Sequence, residues 1–295
     1  MSAINNVGLI AKRHNQTATE LAGNVDRWLQ ERGVKTFQLE RDQDYSLREA
    51  EIRQADLMLV FGGDGSMVNA IKRLTKMKNL EGSAIPIAGV NLGRVGFLLE
   101  IPRDNWQVAL TQAMAQGVRR EKRTMLELTL LRGGEELLTE VSANEIVLSR
   151  GGVARLLALD LTLDGEKLIY VRADGLIIST PTGSTAYNSS AGGPLLHPSL
   201  DAFCITSICP FLSSSLPLVF NARSELTIDV GELSSKTYLT SDGQPVCKLQ
   251  SNDVLKIKGH PGGMTFAQFG MSGYLEKLRG CGLIRDSYVE HKGFK

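Results

Sequence analysis

Cysteine is scarce in this sequence, and the few cysteines are not spaced for structural use. The chain of 295 residues has four cysteines, and none of them forms a CxxC pair, which disfavours a zinc site. They are also too few for a disulfide framework in a chain of this length. We therefore expect the protein in a reducing compartment, the cytoplasm. The cysteines are Cys204, Cys209, Cys247 and Cys281.

Long apolar runs and a surplus of one charge are also lacking. The most apolar stretch, Ala202 to Ala222, contains Pro210, Pro217 and four serines, which favours a buried strand and loop over a membrane-spanning helix. The N-terminal residues lack the pattern of a signal peptide or membrane anchor. With 33 basic and 32 acidic residues, the chain has no overall attraction to nucleic acid or membrane, and we expect neither as a partner. An anionic ligand must then be held locally.

Several familiar catalytic motifs are absent. No GxxxxGK[ST] sequence occurs, so a P-loop lysine does not hold phosphates here. There is no GxSxG elbow, and the histidines are not spaced for a catalytic triad or a metal cluster. The stretch Gly89 to Phe97 is glycine-spaced but does not read GxGxxG, so it indicates either a strand-to-loop turn or, weakly, a dinucleotide site. The histidines are His14, His197, His260 and His291.

The first part of the chain alternates apolar strands with amphipathic helices. Val7 to Ala11 is a short apolar run, and Thr17 to Arg32 carries apolar residues at helical spacing before Gly33. Asp56 to Phe61 is almost continuously apolar, which is typical of a strand in a parallel sheet covered on both faces. We predict an α/β domain with a parallel sheet over residues 1–121.

From about Arg123 the pattern changes to short strands with almost no helical spacing between them. Gly133-Gly134 and Asp164-Gly165 lie between apolar runs, where tight hairpin turns are expected. We predict a mostly antiparallel β domain over residues 122–271, with the segment 272–295 a candidate to return to the first domain. Two domains also agree with a length of 295 residues, which is more than one core usually supports.

A glycine-rich turn follows the apolar strand that ends at Phe61. Gly62, Gly63 and Gly65 surround Asp64, and a helix follows. The glycines let a ligand approach the backbone, and the helix offers free amides and a positive dipole end to phosphate oxygens. A carboxylate beside an anion would repel it, unless the carboxylate binds a metal or takes part in a proton transfer. The alternative is a turn in which Asp64 only caps the helix.

The stretch from Asp174 to Pro194 combines a buried strand with a run of hydroxyls and glycines. It has no charged residue between Gly175 and Leu200, and it is rich in hydroxyl and amide side chains. Solvated loops usually contain a charge. We therefore interpret the stretch as the wall of a site for a polar uncharged ligand group, with a serine- and threonine-rich surface loop as the alternative.

Two pairs of polar residues lie beside this predicted wall. Asn144 and Glu145 begin a strand and are suited to hydrogen-bond the vicinal hydroxyls of a ribose, or they are edge residues that face water. Arg172 and Asp174 are alternate residues on one face of a strand, where they contact a ligand or pair with each other.

Taken together, these motifs resemble those of the NAD kinase family, in its bacterial form. The resemblance rests on GGDG at 62–65, NLGRVGFL at 91–98, NE at 144–145 and DGLIISTPTGSTAYNSSAGGP at 174–194, and it covers nearly the whole chain. GGDG alone is also found in lipid kinases and phosphofructokinases, whereas the long stretch with TPTGSTAY is specific. The resemblance implies a transferase that phosphorylates NAD to NADP with ATP and Mg²⁺ or another divalent cation, at a site between the two domains.

The resemblance also implies residue roles. Asp64 is the expected catalytic base beside the adenosine 2′-hydroxyl, Gly62, Gly63 and Gly65 the expected phosphate-binding residues, and Phe97 an adenine contact. Asn144 and Glu145 are expected to hold the ribose on the nicotinamide side. The full set of expected NAD-binding residues is Asp64, Gly65, Phe97, Asn144, Glu145, Arg155, Arg172, Asp174, Thr185, Ala186, Tyr187, Asn188, Ser189, Ser190 and Gln244.

Other functions and details stay open at this point. A lipid or sugar kinase with the same glycine turn, or a non-catalytic dinucleotide sensor, is the alternative to an NAD kinase. Lys12, Arg13 and Arg94 are candidates to contact ATP, or they are solvated loop charges. The resemblance implies a homodimer or homotetramer, with Ala202 to Ala222 as a candidate interface.

Overall fold

A computed structural model describes residues 4–12, 14–41, 43–77, 85–93, 96–152, 155–211, 216–270 and 273–284. The chain divides into two compact units. The first comprises Met1–Ala70, Ile85–Arg120 and Phe266–Lys295, and the second comprises Ile71–Ala84 and Glu121–Thr265. Within the described ranges, no helix has the length and apolar character needed to cross a membrane.

Six helices and nineteen strands make up the described structure. The helices are α1 (Gln16–Gln30), α2 (Glu49–Arg53), α3 (Asp64–Thr75), α4 (Trp106–Gln116), α5 (Tyr187–Ser190) and α6 (Tyr274–Gly280), with 3₁₀ turns at Tyr45–Arg48 and Gly183–Thr185. The strands are β1 (Asn6–Ala11), β2 (Lys35–Glu40), β3 (Leu57–Gly62), β4 (Ile87–Asn91), β5 (Ile101–Pro102), β6 (Arg119–Arg123), β7 (Leu126–Arg132), β8 (Glu135–Ser142), β9 (Glu145–Gly151), β10 (Leu157–Leu163), β11 (Glu166–Ala173), β12 (Gly175–Ser179), β13 (Ala202–Ile208), β14 (Leu218–Asn221), β15 (Leu226–Asp229), β16 (Lys236–Ser241), β17 (Gln244–Leu249), β18 (Val254–Gly259) and β19 (Met264–Gln268).

The strands of the first unit belong to a mostly parallel sheet. Its order is β2-β1-β3-β4-β19-β6, and β5 pairs with β4. β1 is parallel to both β2 and β3, and β4 is parallel to β3, β5 and β19. Every residue of β3 is buried, as expected for a central strand covered on both faces. The predicted parallel α/β fold is confirmed.

Helices α1 and α4 pack on one face of this sheet. Leu21, Val25 and Leu29 of α1 form one apolar cluster with strand residues of β1, β3 and β4. Their spacing of four residues places them on one side of the helix. The apolar residues that the sequence shows at helical spacing therefore form its buried face. Trp28 and Trp106 meet edge to face with ring centroids 5.5 Å apart, which joins α1 to α4.

The second unit is a β sandwich. One antiparallel sheet has the order β11-β10-β15-β18-β7-β8, and the other has the order β14-β13-β12-β9-β16-β17. Leu128 and Leu159 of the first sheet share one buried cluster with Ile146, Ile178 and Phe203 of the second, so the sheets pack face to face. The predicted antiparallel β domain is confirmed.

The hairpins expected at the two glycine-containing turns are present. Gly133 and Gly134 connect β7 to β8, and Asp164 and Gly165 connect β10 to β11. All four residues have positive φ, between 50° and 86°, which matches the twist of the flanking strands.

The structure differs from the prediction in where one strand belongs. β19 was expected in the second domain, which was drawn to residue 271, but it pairs with β4 in the parallel sheet. Four of its five residues are buried, and a short apolar run looks alike in either type of sheet. The segment after it forms α6, which lies in the first unit. The edge strands β5, β6 and β14 were not predicted, because they are short or charged.

Gly8 and Gly23 provide a matched pair of substitutions in the first unit. A Cβ on Gly8 would lie 2.5 Å from the Met58 sulfur and 2.7 Å from the Phe37 ring, whereas a Cβ on Gly23 in α1 meets nothing within 4 Å. We expect Gly8→Ala to lower the free energy of unfolding by about 1 to 3 kcal/mol through overpacking. Gly23→Ala should raise it by about 1 kcal/mol. Urea denaturation of both variants checks this; equal effects would contradict the packing at β1.

Candidate active site

The glycine-rich turn lies at the C-terminal end of β3, in the middle of the parallel sheet. Gly63 and Gly65 are exposed, and a Cβ on either would meet nothing within 4 Å. Gly62 is packed instead, since a Cβ there would lie 2.5 Å from the Ser66 hydroxyl. α3 begins at Asp64, directly after the turn. The turn therefore leaves open space at a helix N-terminus, where an anion is stabilised.

Asp64 is held by a neighbouring loop rather than by its own helix. Its carboxylate accepts hydrogen bonds from the backbone amides of Phe97 (2.9 Å) and Leu98 (3.0 Å). The amides of Ser66 and Met67 donate to the Gly63 carbonyl oxygen instead. The carboxylate is half-buried and fixed in place, with further acceptor positions on its two oxygens. The alternative of a simple helix cap does not describe this geometry.

The loop that carries Phe97 is itself fixed from α6. Lys277 is 5% exposed, and its ammonium group donates to the Phe97 carbonyl oxygen (3.2 Å) and lies 3.5 Å from a Glu100 oxygen. Glu100 also accepts from the Phe269 amide at 3.0 Å. A half-buried Phe97 thus lies beside Asp64. Arg94, a candidate ATP contact, lies outside the described residues, as does Arg13.

In the second unit, half of the hydroxyl side chains of the 174–194 stretch are buried, namely those of Ser179, Thr180, Thr182 and Ser184. Thr180 donates to the Ala143 carbonyl oxygen (2.7 Å) and accepts from the Gly183 amide (2.9 Å). Ser184 accepts from the Leu196 amide at 3.0 Å. Thr180 and Ser184 are fully buried. These side chains build the loop, and they are not the ones available to a ligand.

Asn188 is the best-satisfied member of this group. It is fully buried, its amide nitrogen donates to the Pro194 carbonyl oxygen (3.0 Å), and its oxygen accepts from the Thr206 hydroxyl (2.7 Å). Ser189 donates to the Ala186 carbonyl oxygen at 2.8 Å. The accessible members of the stretch include Tyr187, which is 46% exposed, the exposed Ser190, and the half-buried Thr185 and Ala186.

The turn between β8 and β9, residues 142–145, carries Asn144 and Glu145. Its carbonyl oxygens are held by Thr180, whose hydroxyl bonds Ala143 and whose backbone amide donates to Asn144 at 2.8 Å. Its amides are held by Asp242, which accepts from Ala143 (3.0 Å), Asn144 (2.6 Å) and Glu145 (3.2 Å). No other described residue hydrogen-bonds the side-chain amide of Asn144.

Glu145 is a buried acid with unused hydrogen-bonding capacity. It is 6% exposed, and its Oε2 atom has no hydrogen-bond partner in the part of the chain that the structure describes. Burial, and secondly the negative charge of Asp242, raise its pKa from 4.5 to about 7. Such a group is suited to a ligand hydroxyl, which would supply the missing partner.

The remaining predicted contacts lie at the surface of the second unit. Asp174 forms an ion pair with Arg150 at 2.7 Å, not with Arg172. Arg172 is exposed and lies over the Phe211 ring, 5.3 Å from its centroid. Arg155 and Gln244 are exposed, and they have no ion pair or side-chain hydrogen bond to another described residue.

Sequence reasoning missed Asp242, Lys72 and Lys277. Asp242-Gly243 has the same form as the predicted turn at Asp164-Gly165, and both residues have positive φ, so the hairpin was open to prediction. No local pattern in the sequence predicts that its carboxylate contacts residues about 100 positions earlier. No pattern indicated the role of Lys277 either, because lysines are rarely buried.

Fold and site together define a class of protein: a two-domain α/β and β-sandwich protein with a glycine-rich turn that is not a P-loop. The profile of the ATP-NAD kinase N-terminal domain matches residues 34–118, and that of the ATP-NAD kinase C-terminal domain matches residues 143–268. An NAD kinase from Nitratidesulfovibrio vulgaris (strain DP4) is 41% identical over 286 residues, covering 97% of this chain and 94% of the relative. The chain belongs to the NAD kinase family.

Two solved structures share the fold. A yeast NADH kinase complexed with NADH has a TM-score of 0.77 and 22% identity, and the match covers 100% of this chain and 90% of that one. An NAD kinase from Archaeoglobus fulgidus in complex with ATP has a TM-score of 0.72 and 22% identity, with coverage of 93% and 99%.

Gly183 provides a test of the 142–145 turn. A Cβ at Gly183 would overlap the backbone carbonyl of Asn144, which is held by hydrogen bonds and has little freedom to move. We expect Gly183→Ala to shift the turn and raise the KM for NAD by about tenfold or more, since tenfold corresponds to ~1.4 kcal/mol. Steady-state kinetics measure this. Gly23→Ala, the same change in open space, is the control, and an equal KM in both variants would contradict the contact.

Glu145 should make stability depend on pH. Its pKa is raised on folding, so its contribution is fully present below pH 4.5 and is lost as the pH rises toward about 7. Compared with Glu145→Gln, the wild type should lose up to roughly 3 kcal/mol of unfolding free energy between pH 5 and pH 8. Urea denaturation across this range measures it, with the exposed Glu166→Gln as the control. Parallel curves for wild type and Glu145→Gln would refute the assignment.

Proposed function

We propose that this chain transfers the γ-phosphoryl group of ATP to the 2′-hydroxyl of the adenosine ribose of NAD, forming NADP. The observation that carries the proposal is the position of Asp64, a fixed and half-buried carboxylate beside two open glycines at a helix N-terminus. Membership of the NAD kinase family supports it. The comparisons give no support to a lipid or sugar kinase or to a non-catalytic sensor.

Asp64 acts on the ribose hydroxyl by orienting it and accepting its proton late in the transfer. A carboxylate is too weak a base to remove that proton fully before attack. A loose transition state for phosphoryl transfer does not need full removal, because positioning and charge neutralisation supply most of the catalysis. The amides of Phe97 and Leu98 fix the carboxylate, which limits its motion before the reaction. Gly63 and Gly65 leave room for phosphate oxygens, and Gly62 binds them through its backbone, since it packs against Ser66.

The NAD contacts divide into groups that touch the ligand and groups that position them. Asn144 and Glu145 bond a ribose, because the Asn144 side chain and the Glu145 Oε2 atom have no hydrogen-bond partner among the described residues while their backbone is held. In the first unit, Phe97 contacts the adenine. In the second unit, the accessible surface of Thr185, Ala186, Tyr187 and Ser190 contacts NAD. Asn188 and Ser189 position this surface, since their own polar atoms are bonded within the chain. Asp174, Arg155, Arg172 and Gln244 are outer contacts.

A divalent cation enters with ATP as part of the substrate. In the described ranges, no three histidine, cysteine or acidic side chains gather into a metal site. This fits Mg²⁺, which kinases usually hold through substrate phosphates and one or two carboxylates. Asp64 is the carboxylate at the phosphate turn. The cation neutralises the charge of the triphosphate.

Self-association and cytoplasmic location complete the proposal. Phe211 is 48% exposed, Leu216 76% and Val219 46%, and exposed apolar side chains in one segment are suited to a contact between copies. We therefore place a homodimer or homotetramer interface in the segment from Ala202 to Ala222. A cytoplasmic location agrees with four cysteines that form no disulfide in the structure.

Replacing Asp64 with asparagine tests the reaction. Asp64→Asn keeps the size of the side chain but removes the proton acceptor, so turnover should fall by orders of magnitude, about 10² or more, while NAD binding stays within a few-fold. A coupled assay for NADP from NAD and ATP gives turnover, and calorimetry gives binding. Asp104→Asn, an exposed carboxylate of the same unit, is the control.

Near-normal turnover of Asp64→Asn would remove Asp64 from the catalytic role. Wild-type protein that forms no NADP, but phosphorylates a lipid or a sugar, would overturn the proposed function itself. The same assay with NADH as acceptor, and with polyphosphate as donor, defines the substrate range.

A further inference from the structure

The 142–145 turn is fixed mainly by hydrogen bonds. Ser142, Ala143 and Glu145 are buried, so the polar backbone groups of the turn need partners within the protein. One carboxylate, that of Asp242, accepts three of its backbone amides, at 3.0, 2.6 and 3.2 Å. The Ser142 hydroxyl lies 2.8 Å from the same carboxylate, and the Asp242 amide donates to the Glu145 carbonyl oxygen at 2.9 Å. The 142–145 turn therefore donates hydrogen bonds to the hairpin that carries Asp242, and the hairpin donates one back to the turn.

The side chain of Asp242 is buried next to a cationic partner. Its side chain is 0% exposed, and the Lys72 ammonium group lies 3.8 Å away. Lys72 donates to the Ser241 hydroxyl (3.0 Å) and lies 3.3 Å from Glu140, so it is held next to the hairpin. A buried carboxylate without such partners would be costly, and hydrogen bonds to a charged group are stronger than neutral ones.

Asp242 also affects the group that faces the ligand. Its charge adds to burial in raising the pKa of Glu145, which places the protonation change of Glu145 near neutral pH. Lys72 contacts Asp242 in turn, at 3.8 Å, and also lies 3.3 Å from Glu140. Removing the charge of Asp242 should therefore lower the pKa of Glu145.

We propose that Asp242 is a positioning residue for NAD: it holds the 142–145 turn so that the side chains of Asn144 and Glu145 point to the dinucleotide, and Lys72 stabilises it in this role. The inference rests on the proposed function for the identity of the ligand. The hydrogen-bond pattern itself does not depend on the ligand.

The test compares two buried carboxylates of the same unit. Asp242→Asn loses one acceptor and the charge, so we expect the KM for NAD to rise about tenfold or more, with the KM for ATP within about twofold of wild type. Asp253→Asn is the matched control: Asp253 is also 0% exposed and is bonded to Arg132 at 2.8 Å, but it does not contact the 142–145 turn. Asp253→Asn should lower stability and leave the KM for NAD unchanged.

Two further readouts separate positioning from a general loss of stability. Hydrogen exchange of the amides of residues 143–145 should become faster in Asp242→Asn and not in Asp253→Asn. The pH at which the KM for NAD changes should move to lower pH in Asp242→Asn, because a negative charge beside Glu145 is gone. If Asp242→Asn fails to fold, Lys72→Met keeps the carboxylate and should raise the KM for NAD several-fold.

Unchanged exchange at residues 143–145 together with an unchanged KM for NAD would overturn the proposal. A parallel rise of both KM values, matched by Asp253→Asn and with no shift of the pH midpoint, would also overturn it, because that is the result for a merely structural residue. If the wild type makes no NADP from NAD and ATP, the proposed function fails, while the exchange measurement still decides whether Asp242 holds the turn.

Discussion

Buried backbone amides and carbonyls must be paired before a turn can offer its side chains to a ligand, and this constraint organises the candidate site. An unpaired buried amide costs about 1 to 3 kcal/mol. In the 142–145 turn, Asp242 accepts the amides and Thr180 holds the carbonyls, and within the described ranges the Asn144 side chain and the Glu145 Oε2 atom have no hydrogen-bond partner. Near the glycine turn, Asp64 does the same for Phe97 and Leu98.

Asp64 combines this structural function with the proposed catalytic one. A carboxylate has about four acceptor positions on its two oxygens. Two are used by backbone amides, one on each oxygen, which fixes the plane of the group. The remaining positions are available to a hydroxyl. Because a Cβ on Gly96 would overlap the carboxylate, the loop approaches Asp64 closely only with glycine at that position. The hydrogen bonds that satisfy the amides of Phe97 and Leu98 therefore also orient the Asp64 carboxylate.

The fold was largely predictable from the sequence, whereas the side-chain hydrogen bonds that hold the candidate site were not. Hydrophobic periodicity gave the parallel α/β sheet and the antiparallel region, because buried faces repeat every few residues along one element. Strand β19 was assigned to the wrong sheet, since its burial is compatible with either. Asp242 and Lys277 bond residues far along the chain, and no local pattern encodes such a contact. The glycine turn was recognised because its backbone requirement is local.

The uncharged run from Gly175 to Leu200 has a different physical explanation from the one its composition indicated. Ser179, Thr180, Ser184 and Asn188 are fully buried and bonded within the chain, so a charge at these positions would be unpaired in the interior. Burial therefore accounts for the missing charge at these four positions. The ligand role then depends on the few accessible groups, such as Tyr187, and on Glu145, whose unpaired oxygen is the stronger indication of a bound hydroxyl.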